Sequence, residues 1–191
     1  MGEKEDCQEV RELLVGLAHD GVRVIGVDAN ADKLALAGSL GAYETYSPAD
    51  AVASGVKGDL VVEAVGRGVA FESAIALTAP GGRTVTVGLP SPDDLASVSP
   101  LLLVAEGRTI IGSYLGSCVP SRDIPTFVDL WRAGRLPIER LVSSVVKLGD
   151  VNTAFDALAS GEALRQVITF DERLTTPHPT ELKLYPPDKG K

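Results

Sequence analysis

Asp28 closes the apolar run at 22–27 and opens a short amphipathic segment, the whole reading GVRVIGVDANADKLALAGSLGA over 21–42. A carboxylate at the end of a buried strand can accept hydrogen bonds from two vicinal hydroxyls. In nucleotide-binding α/β units the acid in this place holds the adenosine ribose. Such a unit also needs bare backbone for phosphate, supplied by glycines about 20 residues before the acid. That position falls near Gln8, where no glycine pattern stands. Residues 1–20 hold only Gly2 and Gly16, and Lys4, Glu5, Asp6, Cys7 and Glu9 fill the stretch. The residues for half of such a site are present.

Other chemistry is poorly provided for. Cys7, Cys118, His19 and His178 have no metal-ligand spacing, so no metal ligand is expected among them. Gly81 and Gly82 precede a strand rather than a helix, which reads as a helix stop and not a phosphate loop. A net charge of −8 without a basic run argues against nucleic acid. There is no apolar run near ~20 residues, so no membrane span is expected. The polar, acidic start MGEKEDCQEV is unlike a signal peptide, and unpaired cysteines fit a cytoplasmic, reducing setting.

The elements that position Asp28 follow from periodicity. Val10, Leu13, Leu14 and Leu17 place a helix over 5–18. A strand over 22–27 follows, then a helix over 31–39 capped by Asn30, with Leu34, Ala37 and Leu40 inward. A short strand at 42–46 and a helical turn from Ser47 and Pro48 come next. The run DLVVEAV at 59–65 reads as a buried parallel strand. A helix over 69–79 ends at Pro80, and strands follow at 83–88 and 109–114. Helix and strand repeated in this way are the rhythm of a doubly wound sheet. The chain, however, opens on a helix, and in the order 3-2-1-4-5-6 the first strand is central. Its neighbours are therefore expected to show open edges.

From Ser121 the pattern changes. Ser121 caps a helix carrying Ile124, Phe127, Val128 and Trp131 on one face and ending near Gly134. A strand at 141–148 follows, then a helix from Asp150 with Val151, Ala154, Phe155 and Leu158 inside, closed by Gly161. A last strand runs over 165–170. The Pro-rich stretch 171–191 reads as a disordered tail. The 45% hydrophobic content with only 5% aromatics predicts a core of Val, Leu, Ile and Ala.

Five stretches carry a resemblance: GVDANADKL at 26–34, DLVVEAVGR at 59–67, GGRTVTVGLP at 81–90, LLLVAEGRTIIGSYLGS at 101–117 and GEALRQVITF at 161–170. In order and spacing, residues 21–170 resemble the C-terminal, NAD-binding half of the zinc-dependent medium-chain alcohol dehydrogenases. The fold implied is α/β: an incomplete Rossmann-like doubly wound parallel sheet without its first strand and glycine loop. It divides into an atypical N-terminal segment at 1–20, a partial NAD-binding domain at 21–117 and a C-terminal α+β segment of the catalytic domain at 118–170, before the tail.

The resemblance implies roles for twelve residues around NAD. Asp28 matches the acid at the adenosine ribose, where its charge would repel a 2′-phosphate, and Lys33 matches a basic residue beside it. Val65, Gly66 and Arg67 match the turn that lines the cofactor groove. Val87, Gly88 and Leu89 match the turn at the nicotinamide ribose, and Ser113, Tyr114 and Leu115 the strand end at the carboxamide. Arg165 matches an arginine that reaches the pyrophosphate, a task suited to a guanidinium fork.

The family's zinc ligands and proton-relay hydroxyl belong to an N-terminal domain outside this sequence, so no catalytic residue is assigned here. An ungapped reading puts Cys7 and Glu9 within the glycine fingerprint, and Glu9 would repel a pyrophosphate. NAD binding is therefore expected to be weak or lost. The function implied is the NAD-binding portion of a zinc-dependent alcohol or aldehyde dehydrogenase, truncated and inactive as this chain alone. The alternatives are a non-catalytic NAD-binding or oligomerisation module, or a gene fragment without independent function. The partners implied are the small-molecule cofactor and a second copy or full-length relative, paired through apolar edges at LLLV and TIIGSY.

Overall fold

The computed structural model of the chain describes residues 21–114, 118–160 and 163–170. They fall in two compact units, one ending at Pro120 and the other running from Ser121. The helix expected over 5–18, Leu115, Gly161 and the tail beyond residue 170 lie outside the described residues. Among the described residues no helix is long and apolar enough to cross a membrane.

The first unit opens with two parallel strands, β1 (Ile25–Val27) and β2 (Glu44–Tyr46), Ile25 opposite Glu44 and Val27 opposite Tyr46. β1 is shorter than the run at 22–27 suggested. Val22 is 52% exposed, and among the described residues the pairing before Ile25 is that of the Val24 carbonyl, which accepts from Tyr43 N–H at 2.8 Å. The crossover helix α1 (Ala31–Ser39) has the bounds read from its pattern, because Asn30 accepts from the Asp32 and Lys33 amides and starts it. Gly26 lets α1 sit close on the strand, since a Cβ there would stand 3.3 Å from the Ala37 Cβ. α2 (Pro48–Ser54) is capped by Ser47, begins on Pro48 and stops at Gly55, which adopts φ 72°.

Three parallel strands in the order β3-β4-β5 follow: β3 (Gly58–Glu63), β4 (Thr78–Thr86) and β5 (Thr109–Gly112). Between β3 and β4 runs α3 (Gly68–Leu77), and between β4 and β5 runs α4 (Pro100–Glu106). Two expectations are corrected here. Pro80, Gly81 and Gly82 do not stop the helix: α3 ends at Leu77, Thr78 already pairs with Gly58, and the pairing jumps to Leu60–Arg83. The intervening residues bulge out of β4. Leu101, Leu102, Leu103 and Val104, read as an apolar strand edge, form helix α4, begun on Pro100 and ended by Gly107 in the left-handed region.

Register assigns the faces of this sheet. Glu63, Thr84 and Thr86 share one side, Leu60, Val62, Val85 and Ile111 the other. α3 packs on β3 and β4, and the Thr84 side is buried. There Thr78 and Thr84 are fully enclosed, their hydroxyls 2.6 Å apart. The opposite side is open, with Leu60 61% exposed. Among the described residues β1 pairs only with β2, and β3 only with β4.

In the second unit α5 (Pro120–Arg132) starts on Pro120, so Ser121 lies within it rather than capping it. Its apolar face is only partly covered, with Ile124 and Phe127 exposed, while the half-buried Trp131 donates Nε1–H to Glu139 at 3.0 Å. β6 (Val142–Lys147) and β7 (Arg165–Thr169) pair in parallel through α6 (Val151–Ala159). Ala154 is buried as expected, whereas Phe155, expected inside, is exposed. Half of the twelve buried apolar residues described in the two units are alanine, which keeps helices close but buries little area apiece.

Candidate functional site

Parallel strands send all their following turns to one end of the sheet, where ligands of open α/β sheets bind. In the three-stranded sheet of the first unit that end collects residues 65–67 after β3, 87–89 after β4 and 113–114 after β5, while Asp28 follows β1 in the two-stranded sheet. Asp28 N–H extends the ladder by donating to the Tyr46 carbonyl at 3.2 Å. Its Oδ1 accepts the Asn30 amide at 2.6 Å, an Asx turn that aims the carboxylate at the strand end and presents Asn30 for capping. Lys33, instead of lying on the helix surface, is only 6% exposed.

The turn after β3 is built on Gly66, whose φ of 74° suits glycine. A Cβ on Gly66 would lie 2.8 Å from the Leu89 nitrogen, and one on Gly88 would fall onto the Gly66 backbone. The two turns therefore meet backbone to backbone. Glu63, at the end of β3, reaches both: its carboxylate accepts Gly66 N–H and Thr86 Oγ1–H, each at 2.6 Å. Its carbonyl also accepts Val87 N–H at 2.8 Å. Val65 and Val87 are half-buried, and Leu89 is exposed.

Arg67 precedes α3 and pairs with Asp94 at 3.1 Å, whose other oxygen accepts Gly68 N–H at 3.1 Å. Asp94 thus caps the helix from 26 residues away, where no local side chain does so. Glu63, Gly66, Arg67, Phe71, Gly88 and Asp94 are among the residues that line a cavity of about 200 Å³. Ser113 N–H donates to the Thr86 carbonyl at 2.9 Å, which carries the pairing past β5, and Tyr114 beyond it is exposed.

Of the twelve expected residues, the structure gathers Val65, Gly66, Arg67, Val87, Gly88 and Leu89 into one contact region. Ser113 and Tyr114 follow β5 at the same end of that sheet, and Asp28 follows β1 in the two-stranded sheet. Leu115 lies outside the described residues, and Arg165 opens β7 in the second unit, exposed, with Nη1 against the Leu164 carbonyl at 3.3 Å. Glu63, Thr86 and Asp94 were not singled out from sequence. A signal existed for Glu63, since a lone glutamate within DLVVEAV must be paired if that strand is buried. Asp94 had none, because its partners are distant in the chain.

Tyr46, at the end of β2, donates its hydroxyl to Glu44 at 3.0 Å, and chiefly that bond holds the phenol above its ordinary pKa. Among the described residues no three histidine, cysteine, aspartate or glutamate side chains converge to hold a metal.

Comparison with known proteins places the site in context. Residues 14–133 match the family model described as zinc-binding dehydrogenase. Alcohol dehydrogenase 1 of Pisum sativum is 32% identical over 160 residues, covering 78% of this chain and 42% of that protein. The benzyl alcohol dehydrogenase structure from Acinetobacter calcoaceticus superimposes with a TM-score of 0.75 at 26% identity, over 81% of this chain and 46% of that one. An alcohol dehydrogenase zinc-binding domain protein from Burkholderia ambifaria gives 0.70 at 30% identity, over 75% and 40% respectively. The chain spans less than half the length of these relatives, and it belongs to the zinc-binding dehydrogenase family.

Proposed function

We propose that this chain supplies the NAD-binding portion of a zinc-dependent alcohol or aldehyde dehydrogenase, which moves hydride between an alcohol and NAD. The observation that carries this reading is the side-chain-free contact of Gly66 with Gly88 at the ends of β3 and β4, with Asp28 at the end of β1. It leaves flat backbone where a dinucleotide can lie close, with a carboxylate at one end for the ribose hydroxyls. Members of the family bind NAD and zinc.

The described residues fit the cofactor in part. Asp28 keeps one oxygen outside its Asx turn, and the 65–67 and 87–89 turns line one wall. The bound nicotinamide supplies the hydride acceptor. This chain's residues hold and orient it: Asp28 at the adenosine end, the two turns at the other, and Arg67 steadied by Asp94. Zinc does not fit the described residues, which offer no convergent donor set, so no step is assigned to it. We read the chain's own contribution as cofactor binding without turnover.

Pairing with a second copy or a full-length relative belongs to the same reading, supported by the exposure of Leu101 and Val104 on α4. A cytoplasmic setting is supported by Cys7 and Cys118, which stand in no paired spacing.

The test is calorimetric titration of NAD and NADP into the full chain and into Asp28→Ala. NAD should bind tighter than NADP, and Asp28→Ala should weaken NAD by about tenfold, the worth of one hydrogen bond to a charged group. No heat at millimolar NAD would overturn the reading.

A further inference from the structure

We propose that Glu63 is a positioning residue whose buried carboxylate sets the spacing of the two turns that line the NAD groove; the proposal rests on the reading above. Glu63 is 5% exposed in a strand whose neighbours are Val61 and Val62. A carboxylate so enclosed is retained only with full hydrogen bonding, and an aliphatic side chain would fill the place at less cost. Its two oxygens divide the work. Oε1 accepts from Gly66 in the first turn, and Oε2 from Thr86, the last residue before the second. The same residue's carbonyl accepts from Val87 at 2.8 Å and Gly88 at 3.4 Å. Side chain and backbone together clamp 65–67 against 87–89, and the Gly66–Gly88 packing leaves no slack between them. Hydrogen bonds to an ionised acceptor are roughly twice as strong as neutral ones, which suits a clamp. The groove wall is thereby formed before any ligand arrives.

The experiment uses the full chain, ¹⁵N-labelled, as wild type, Glu63→Ala, Glu63→Gln and Thr86→Val. Three readouts are compared: amide exchange at Gly66 and Val87, NAD affinity, and affinity for AMP, which engages only the Asp28 end. Glu63→Ala should speed exchange at both amides and weaken NAD by about tenfold, with AMP unchanged within about twofold. Glu63→Gln should restore both, because its amide oxygen still accepts from Gly66 and its NH₂ donates to Thr86.

Unchanged exchange in Glu63→Ala overturns the proposal. So does a parallel loss of NAD and AMP affinity, which marks a merely structural role, or a Glu63→Gln no better than Glu63→Ala. Should Glu63→Ala fail to fold, Thr86→Val removes one of the two carboxylate contacts and is read the same way: NAD falling with AMP unchanged supports the clamp, and parallel loss overturns it. Should wild type bind neither NAD nor AMP, the proposed function fails. Exchange at Gly66 and Val87 then decides Glu63 alone, faster in Glu63→Ala for the clamp and unchanged against it.

Discussion

A methyl group on Gly88 has no room, because it would land on the Gly66 Cα and on the Gly66 nitrogen, which is bonded to Glu63. Gly88→Ala is expected to destabilise the chain by about 1–3 kcal/mol, seen as a lower denaturation midpoint at constant slope. A wild-type midpoint would show that the two turns separate freely. Tyr46 makes a prediction in pH. Its hydrogen bond to Glu44 raises the phenol's pKa in the folded chain. The stability from that contact is therefore complete below the unfolded value of about 10 and is lost as pH rises through the folded one. In an absorbance titration Tyr46 should ionise later than an ordinary tyrosine, and Glu44→Ala, which removes the acceptor, should bring it back. Residues differ in how far they can be read from sequence. Asp28 and Asn30 are legible because strand end, acid and cap are contiguous. Glu63 betrays burial but not its partners, and Thr86 lies 23 residues further on.

The helix α3 has no side-chain cap of its own and no basic residue in its last turn. Distant residues complete it instead. Asp94 holds its first amide, that of Gly68, while Lys57 and Arg108 donate to the carbonyls of Ala76 and Ile75 at its far end, so both poles of the dipole are met. Asp94→Ala should cost about 0.5–2 kcal/mol, the usual worth of an N-cap, and should release Arg67. Thermal unfolding with and without NAD checks both effects. This helix was legible in place but not in support, since its caps come from other elements. α1 carries its own cap and was legible in full. The α4 helix was missed because Leu101–Leu102–Leu103–Val104 is apolar on every side and has no helical period. β4 was misplaced at its start because a bulge around Gly81 looks like a helix stop in one dimension.

At the scale of the molecule, the alternation of strand and helix was enough to read an α/β fold with parallel sheets, and the comparisons bear it out. The open sheet face was not legible in the same way, because Leu60 and Val62 in DLVVEAV read as buried core. In the structure they stand exposed beside Ile111. Apolar surface gathered on one face drives association. Leu60→Lys with Val62→Lys should lower any concentration-dependent association of the chain in sedimentation velocity, with NAD affinity retained. Sedimentation identical to wild type would show that this face does not drive association.

The bulge in β4 has a use of its own. Pro80 and Gly81 are exposed, a Cβ at Gly81 would meet nothing, and the strand ladder skips both residues. They also sit at the start of β4, while the candidate site gathers after its end at Thr86. A fluorophore or affinity tag introduced between them would hang from slack that the sheet already leaves out. It would report on the folded chain while leaving the candidate site untouched.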